Sequence, residues 1–135
     1  MPEFHRANLE RVNAFAIDDG YLFKYYFDHD EVFAKLGKYY NNQQYRFEVP
    51  AESFEEIVDF LSGYGYGLVV VEHLDPFAVA VRKYTEHPEN IFKGSVLHRS
   101  VGDFNVFLLK DHKTVERAVE QGATPIEETD LEIEW

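Results

Sequence analysis

The 135-residue sequence contains no cysteine. This absence excludes disulfide bonds, thiolate metal ligands and cysteine nucleophiles. The sequence also lacks the run of about 18 apolar residues that a membrane-spanning helix needs, and its first residues show no secretory signal. We therefore predict a cytoplasmic protein without a membrane partner.

Basic residues are scarce, with 13 Lys and Arg against 25 Asp and Glu and a formal net charge of −12. The longest basic group is the pair Arg82-Lys83. Nucleic acids are bound through clusters of Lys and Arg, so we predict no direct nucleic-acid binding. An acid excess is also typical of proteins from salt-loving microbes, whereas the lysine content argues against that origin, and the sequence leaves both alternatives open.

Motifs that specify a reaction are missing as well. There is no nucleophile elbow, no phosphate-binding loop ending in Gly-Lys-Ser or Gly-Lys-Thr, and no dinucleotide fingerprint before a helix. The sequence therefore favours a protein that acts by binding rather than by catalysis.

Hydrophobic residues make up 45% of the chain, and its aromatic residues include 12 Phe and 9 Tyr. This composition is sufficient for a real core. We predict a single domain over residues 1–135, with residues 1–10 and 126–135 as flexible or edge-strand tails.

The first half of the chain alternates strands and helices. Residues 12–17 and 21–27 flank the turn signal at residues 18–20 and predict a hairpin, followed by a helix capped by Asp28 or Asp30 and extending to about Tyr40. Residues 45–49 alternate as a strand, an amphipathic helix follows Pro50, and two further strands cover residues 68–71 and 77–81.

The second half predicts a short helix over residues 87–92, a hairpin of strands 96–101 and 104–109, and a helix that begins at Asp111 and ends at Gly122. This order predicts an α+β fold, a mostly antiparallel sheet with three or four helices packed on it. Residues 45–81 form a strand-helix-strand-strand pattern that is partly ferredoxin-like.

Histidines beside carboxylates are candidate metal ligands, since this pairing suits zinc, iron or manganese. The best placed are His29, His73 and Asp75. No two histidines have the spacing that joins ligands on one helix or strand, and Asp28 and Asp30 have an alternative role as helix caps.

Two carboxylates, Glu48 and Glu72, interrupt or end apolar strands, and burial there would raise the pKa toward that of a catalytic acid. The alternative is an ordinary outward strand residue. With Tyr25 and Tyr45 they are candidates for a tyrosine-lined ligand pocket.

Aromatic residues are concentrated in the first third of the chain, and odd positions of residues 21–27 are all aromatic. Such a strand requires cover on both faces, from its own helices or from another subunit. In the tail, apolar residues alternate with glutamates, which predicts a strand that closes a sheet edge or pairs with a neighbour, with fraying as the alternative. The predicted interface residues are Tyr21, Phe23, Tyr25, Phe27, Leu131, Ile133 and Trp135.

These observations lead to one main hypothesis and two alternatives. The main hypothesis is a protein-interaction or self-associating module, a homodimer or the binder of a protein partner. The first alternative is an enzyme or sensor that binds a small molecule or metal in a tyrosine-lined pocket. The second is an acidic mimic that occupies the basic site of a nucleic-acid-binding protein.

Overall fold

A computed structural model describes residues 9–135 of the chain. The chain divides at residue 72 into an N-terminal unit, described over residues 9–72, and a C-terminal unit, His73–Trp135. The predicted N-terminal tail lies outside the described residues except for Leu9 and Glu10. Each unit has its own sheet.

The N-terminal unit is built on a five-stranded sheet with the order β3-β4-β2-β1-β5. Strands β1 and β5 are parallel, and the other neighbours are antiparallel. Its elements in chain order are β1 (Glu10–Ile17), β2 (Gly20–Phe23), α1 (Asp30–Leu36), β3 (Tyr40–Asn41), β4 (Arg46–Pro50), α2 (Ala51–Ser62) and β5 (Tyr66–Val71).

The predicted hairpin of β1 and β2 is confirmed, with Phe15 opposite Leu22. Asp18 takes the left-handed conformation at φ 54° that such a turn needs. Glycine is required at position 20 because a methyl group there would lie 2.8 Å from the carbonyl oxygen of Val49. The sequence DDG therefore encodes both the reversal and the close approach of β4.

One face of this sheet forms the core of the N-terminal unit. Every second residue of the strands points to this face and packs against apolar residues of α1 and α2, which recur at helical spacing. The buried members are Val12, Ala14, Phe23, Phe27, Val32, Leu36, Phe47, Val49, Ile57, Leu61 and Tyr66.

The chain after β2 differs from the prediction. The strand ends at Phe23 rather than at residue 27, and residues 24–29 have no regular secondary structure. This irregular segment brings Phe27 into the same core as Phe23, and both side chains are fully buried there. Helix α1 ends at Leu36 and continues as a 3-10 turn, Gly37–Tyr39. Its N-cap is His29, which makes no side-chain cap bond, so the predicted aspartate cap was wrong.

The C-terminal unit has a four-stranded antiparallel sheet with the order β7-β8-β6-β9. A 3-10 turn, Asp75–Phe77, precedes the sheet, and a second, Ile126–Glu128, follows it. Its helices and strands are β6 (Ala78–Arg82), α3 (Ile91–Gly94), β7 (Ser95–Val101), β8 (Phe104–Leu109), α4 (His112–Glu120) and β9 (Thr124–Pro125).

Two predictions for the C-terminal unit are confirmed and one is shifted. The β7–β8 hairpin forms, and the Asp111 carboxylate accepts a hydrogen bond from the Thr114 amide at 2.8 Å, which caps α4. The short helix begins at Ile91 rather than at residue 87, because Asn90 before it adopts a left-handed φ of 62°.

Both faces of the second sheet are covered. On one face, Val79, Val81, Phe107 and Leu109 pack in one cluster with Ala118 of α4. The opposite face, formed by Ala78, Ala80 and Val106, packs against Ile126 and the tail side chains Leu131, Ile133 and Trp135.

The tail, residues 130–135, forms no regular secondary structure, so the predicted strand was wrong. Its alternation has another cause: Leu131, Ile133 and Trp135 turn toward their own sheet, whereas Glu132 and Glu134 are exposed. The Arg99 guanidinium donates a hydrogen bond to the main-chain oxygen of Trp135 at 3.0 Å, which fixes the end of this segment.

The α+β class is confirmed, with four helices in the described chain and two mostly antiparallel sheets instead of one. The ferredoxin-like detail is not confirmed, because β4, α2 and β5 belong to the first sheet and β6 belongs to the second. The single-domain prediction stays a prediction. None of the helices described over residues 9–135 combines the length and the apolarity that crossing a membrane requires.

Candidate interaction surface at the edge of the first sheet

The aromatic residues predicted to form an interface have different environments. Phe23 and Phe27 are fully buried, so they hold the N-terminal unit together and cannot reach a second molecule without rearrangement. Tyr21 is half-buried and stacks on Phe54 of α2 with ring centroids 3.8 Å apart. The side chains of this group therefore serve mainly the core of their own unit.

Tyr25 is half-buried and joins residues 24–29 to the start of β1. Its ring packs against Phe27 and Tyr66 at centroid distances of 5.1 and 5.4 Å, and its hydroxyl donates a hydrogen bond to the Glu10 carboxylate. Burial of the phenol, together with this bond and the nearby negative charge, raises the pKa of Tyr25 to about 12. This geometry gives Tyr25 a structural role.

The residues predicted to line a ligand pocket are not brought together. Glu48 points away from the core face because it alternates with buried Phe47 and Val49, whereas Tyr25 packs on that face. The Glu48 carboxylate accepts hydrogen bonds from Asn41 Nδ2 at 3.0 Å and from Arg46 Nε at 2.8 Å. Tyr45 and Glu72 are exposed.

The candidate metal ligands lie in different settings. His29 packs its ring near Tyr64 and Tyr66, with centroids 5.4 and 6.0 Å away, at the start of α1. His73 and Asp75 are exposed residues of the C-terminal unit. Over residues 9–135 no group of three or more His, Asp or Glu side chains is placed to hold a metal ion.

A feature that the sequence did not reveal is the edge position of β5. Within the described chain, β1 is the one strand that pairs with β5, and it does so in parallel register, with Val12 opposite Leu68. The Glu10 amide donates to the Gly65 carbonyl at 2.8 Å at the start of this ladder. Because main-chain groups alternate along a strand, Tyr66, Leu68 and Val70 direct their N–H and C=O groups toward the open edge.

The edge strand carries no charge. Its six residues, YGLVVV, contain neither proline nor lysine, the residues that commonly protect an exposed edge. Val70 leaves 41% of its surface exposed, and Leu68 and Val69 are half-buried. An uncharged open edge of this kind is a template for pairing with another strand.

A cleft of about 440 Å³ runs between β5 and the C-terminal half of α2. Its lining is mostly apolar, with one acid, Asp59, on the helix side and one cation, Arg11, on the strand side. The lining residues are Leu9, Arg11, Val58, Asp59, Ser62, Tyr66, Gly67, Leu68 and Val69.

The acidic side of the cleft belongs to a longer row on α2. Glu52, Glu55 and Asp59 are exposed and recur at helical spacing, so they share the stripe that ends at Ser62. Glu56 lies beside this row, one turn after Glu52, and it is neutralised by a hydrogen bond from Lys35 at 2.6 Å. The cleft therefore lies between an uncharged strand edge and a helix whose exposed acids continue beyond the cleft, and we name it the edge cleft.

Comparison of the chain with protein-family models, with curated proteins and with solved structures finds no match.

Proposed function

We propose that the chain is a protein-interaction module that binds an extended, positively charged segment of a partner protein at the edge cleft. The observation that carries the proposal is the open edge of β5, six residues without a charge or a proline. A partner strand paired there would satisfy the main-chain groups of Tyr66, Leu68 and Val70. The proposal keeps the cytoplasmic setting predicted from the sequence.

The charge of the site supports a basic partner. Asp59 and Arg11 both line the cleft, so the lining itself has no net charge, but Glu52 and Glu55 extend the acidic row of α2 beyond it and the whole chain has a formal net charge of −12. In a strand added to β5, alternate side chains would face α2, so lysines or arginines at those positions would lie beside its acids. The long-range field of the chain would also accelerate the approach of a cationic segment at low salt.

A second copy of the chain fits the same edge less well. Antiparallel pairing of two β5 strands about a two-fold axis would place two α2 helices side by side on one face of the joined sheet. Their rows of Glu52, Glu55 and Asp59 would then repel each other. We therefore propose a hetero-interaction in preference to the homodimer.

The test uses a peptide of alternating Lys and Val, about eight residues long, which spans the six-residue edge strand with one residue to spare at each end. We expect it to bind with a Kd below about 1 mM at low salt and to shift the amide resonances of Tyr66, Leu68 and Val70. An otherwise identical peptide with N-methylated main-chain amides should lose most of this affinity, because it cannot pair with the edge. A Glu-Val peptide should not bind.

Matched variants separate strand pairing from general charge attraction. Val70→Pro removes an outward N–H and should weaken binding at least tenfold, whereas Val70→Thr keeps that donor and should bind normally. Asp59→Lys should weaken binding more than Glu116→Lys, an equal charge change in the C-terminal unit. Equal effects of the two lysine variants, or no effect of N-methylation, would contradict the proposal.

Native mass spectrometry tests directly whether a second copy of the chain occupies the edge of β5. We expect a monomer in the absence of peptide. A dimer that Val70→Pro converts to a monomer would show that a second copy occupies the edge and would replace the proposed basic partner.

A further inference from the structure

A second cleft, of about 200 Å³, lies in the C-terminal unit between α4 and the segment of residues 89–94 that contains α3. Four lining residues of the helix side recur at positions 114, 117, 118 and 121, which is one face of a helix. The complete lining is Glu89, Asn90, Ile91, Lys93, Gly94, Lys110, Thr114, Arg117, Ala118 and Gln121.

The charge of this cleft is opposite to that of the molecule. Lys93, Lys110 and Arg117 line it with a single acid, Glu89, so basic residues outnumber acidic ones three to one in the lining. The whole chain has nearly twice as many acids as bases, 25 against 13. Three cations converging on one small cleft are therefore contrary to the composition and need an explanation.

Two of these cations have no carboxylate partner within residues 9–135. Lys93 and Arg117 are exposed, and neither forms an ion pair with a carboxylate of the described residues. With 25 Asp and Glu in the chain, a guanidinium without a carboxylate partner is unexpected. Because no carboxylate of residues 9–135 pairs with Arg117, its planar guanidinium can bind an oxyanion through two hydrogen bonds.

The walls of the cleft are held by main-chain contacts. The Gly94 amide donates to the Asn90 carbonyl at 3.1 Å, and the Lys110 amide donates to the Gly94 carbonyl at 2.9 Å. Gly94 lies so close to α4 that a methyl group there would be 2.5 Å from Thr114 Cγ2. Gly94 at the end of α3 is thus packed tightly against α4, and the cleft is formed before any ligand binds.

The polar groups of the lining complete the anion site. Gln121 Oε1 accepts a hydrogen bond from the Glu89 amide at 2.6 Å, which leaves the Gln121 Nε2 donors for a ligand. Ile91 and Ala118 are buried and supply an apolar floor. The cleft therefore offers cationic and neutral donors around a small apolar base.

We propose that this cleft binds a small phosphate monoester. A phosphate monoester has a charge of about −1.5 to −2 at neutral pH and three acceptor oxygens, so it can bind Lys93 and Arg117 together, whereas a monocarboxylate has a single charge for the two cations. Pockets for drug-sized ligands measure about 300–1,000 Å³, so this cleft is limited to a phosphate with a few carbon atoms. The site is separate from the edge cleft and does not depend on the proposed interaction.

The experiment follows amide and Arg117 Nε resonances during titration with inorganic phosphate, glycerol 3-phosphate and glycerol. We expect both phosphates to shift Gly94, Thr114 and Arg117 and glycerol to shift none of them. The absence of shifts up to about 20 mM phosphate, where a site with a Kd of about 1 mM is nearly saturated, would overturn the proposal.

The decisive comparison is between Arg117→Gln and Lys113→Gln. Both change the charge of the same helix by one, both residues are exposed, and only Arg117 lines the cleft. We expect Arg117→Gln to weaken phosphate binding at least tenfold and Lys113→Gln to change it less than twofold, with both variants melting like the wild type. If both variants weakened phosphate binding equally, the binding would be due to diffuse charge attraction, and the proposed phosphate site would be wrong.

Discussion

At the scale of single residues, tertiary neighbours decide what each side chain does. Tyr25 and Tyr45 are the same residue type, yet Tyr25 binds Glu10 and packs on Tyr66, whereas Tyr45 is exposed in a turn at φ 54°. Glu48 is held by Asn41 and Arg46, and Glu72 is exposed. The two tyrosines and two glutamates predicted to line one ligand pocket therefore do not form a common site.

Tyr25 makes stability depend on pH in the alkaline range. Its pKa in the folded chain is raised above the ordinary value of 10.0 to about 12, first by burial and then by Glu10. Between these values the unfolded chain has lost the phenol proton and the folded chain keeps it, so the stabilisation present below pH 10 is lost as the pH rises toward 12. We expect Tyr25→Phe to reduce this loss.

The measurement is the free energy of unfolding by urea as a function of pH. At neutral pH, Tyr25→Phe should be less stable than the wild type by about 1 kcal/mol, the usual net value of one hydrogen bond. That difference should shrink above pH 10. Tyr84→Phe is the control because Tyr84 is fully exposed and should show no such trend. A constant difference for Tyr25→Phe across the alkaline range would contradict the assignment.

At the scale of elements, the position of a segment relative to its sheet determines its role. The tail has the alternation of a strand but covers the sheet face formed by Ala78, Ala80 and Val106. Strand β5 has the apolar run of a buried strand but occupies an edge. In both cases the residue pattern shows which side chains prefer burial and not what they pack against.

The tail allows a direct test of its structural role. Ile133→Ala removes apolar contacts with the second sheet and should lower the free energy of unfolding by about 1–2 kcal/mol, since Ile133 is only partly buried. Glu134→Ala is the control and should change stability by less than about 0.5 kcal/mol, because Glu134 is exposed. A loss of self-association by Ile133→Ala with unchanged stability would favour the predicted interface role instead.

At the scale of the whole molecule, the division of the chain into two compact units bears on how it unfolds. Each unit has a sheet and a core of its own, and the boundary lies at residue 72. The sequence-based prediction of a single domain requires both units to unfold in one transition.

The single tryptophan, Trp135, lies in the C-terminal unit and makes this prediction testable. Its fluorescence reports on that unit, whereas far-ultraviolet circular dichroism reports on both. If the chain is one cooperative domain, we expect the two signals to change at the same urea concentration. Separate midpoints would show two domains, and the signal of Trp135 would identify which one unfolds first.

Charge at this scale has two consequences. The formal net charge of −12, from which we predict no direct nucleic-acid binding, also favours the basic partner that we propose at the edge cleft. The cleft lined by Lys93, Lys110 and Arg117 is a local exception to this charge. Net charge therefore describes the average surface and not each site.

Much of the local structure could be predicted from the sequence because it depends on neighbours along the chain. The turn at residues 18–20, the alternation before Pro50, the acidic start of α2 and the Asp111 cap all act within a few residues. Composition was enough to predict a substantial core, and the order of strand and helix patterns predicted the α+β class.

Only the tertiary structure decided which residues meet. That β6 joins a second sheet, that β5 is an edge, and that the tail covers its own unit depend on long-range pairing, for which many alternatives have similar local preferences. The same holds for the cations of the second cleft, which come from residues 93, 110 and 117 and show no motif in the sequence. Local preferences are additive along the chain, whereas strand order and side-chain convergence are determined by the packing of the whole unit.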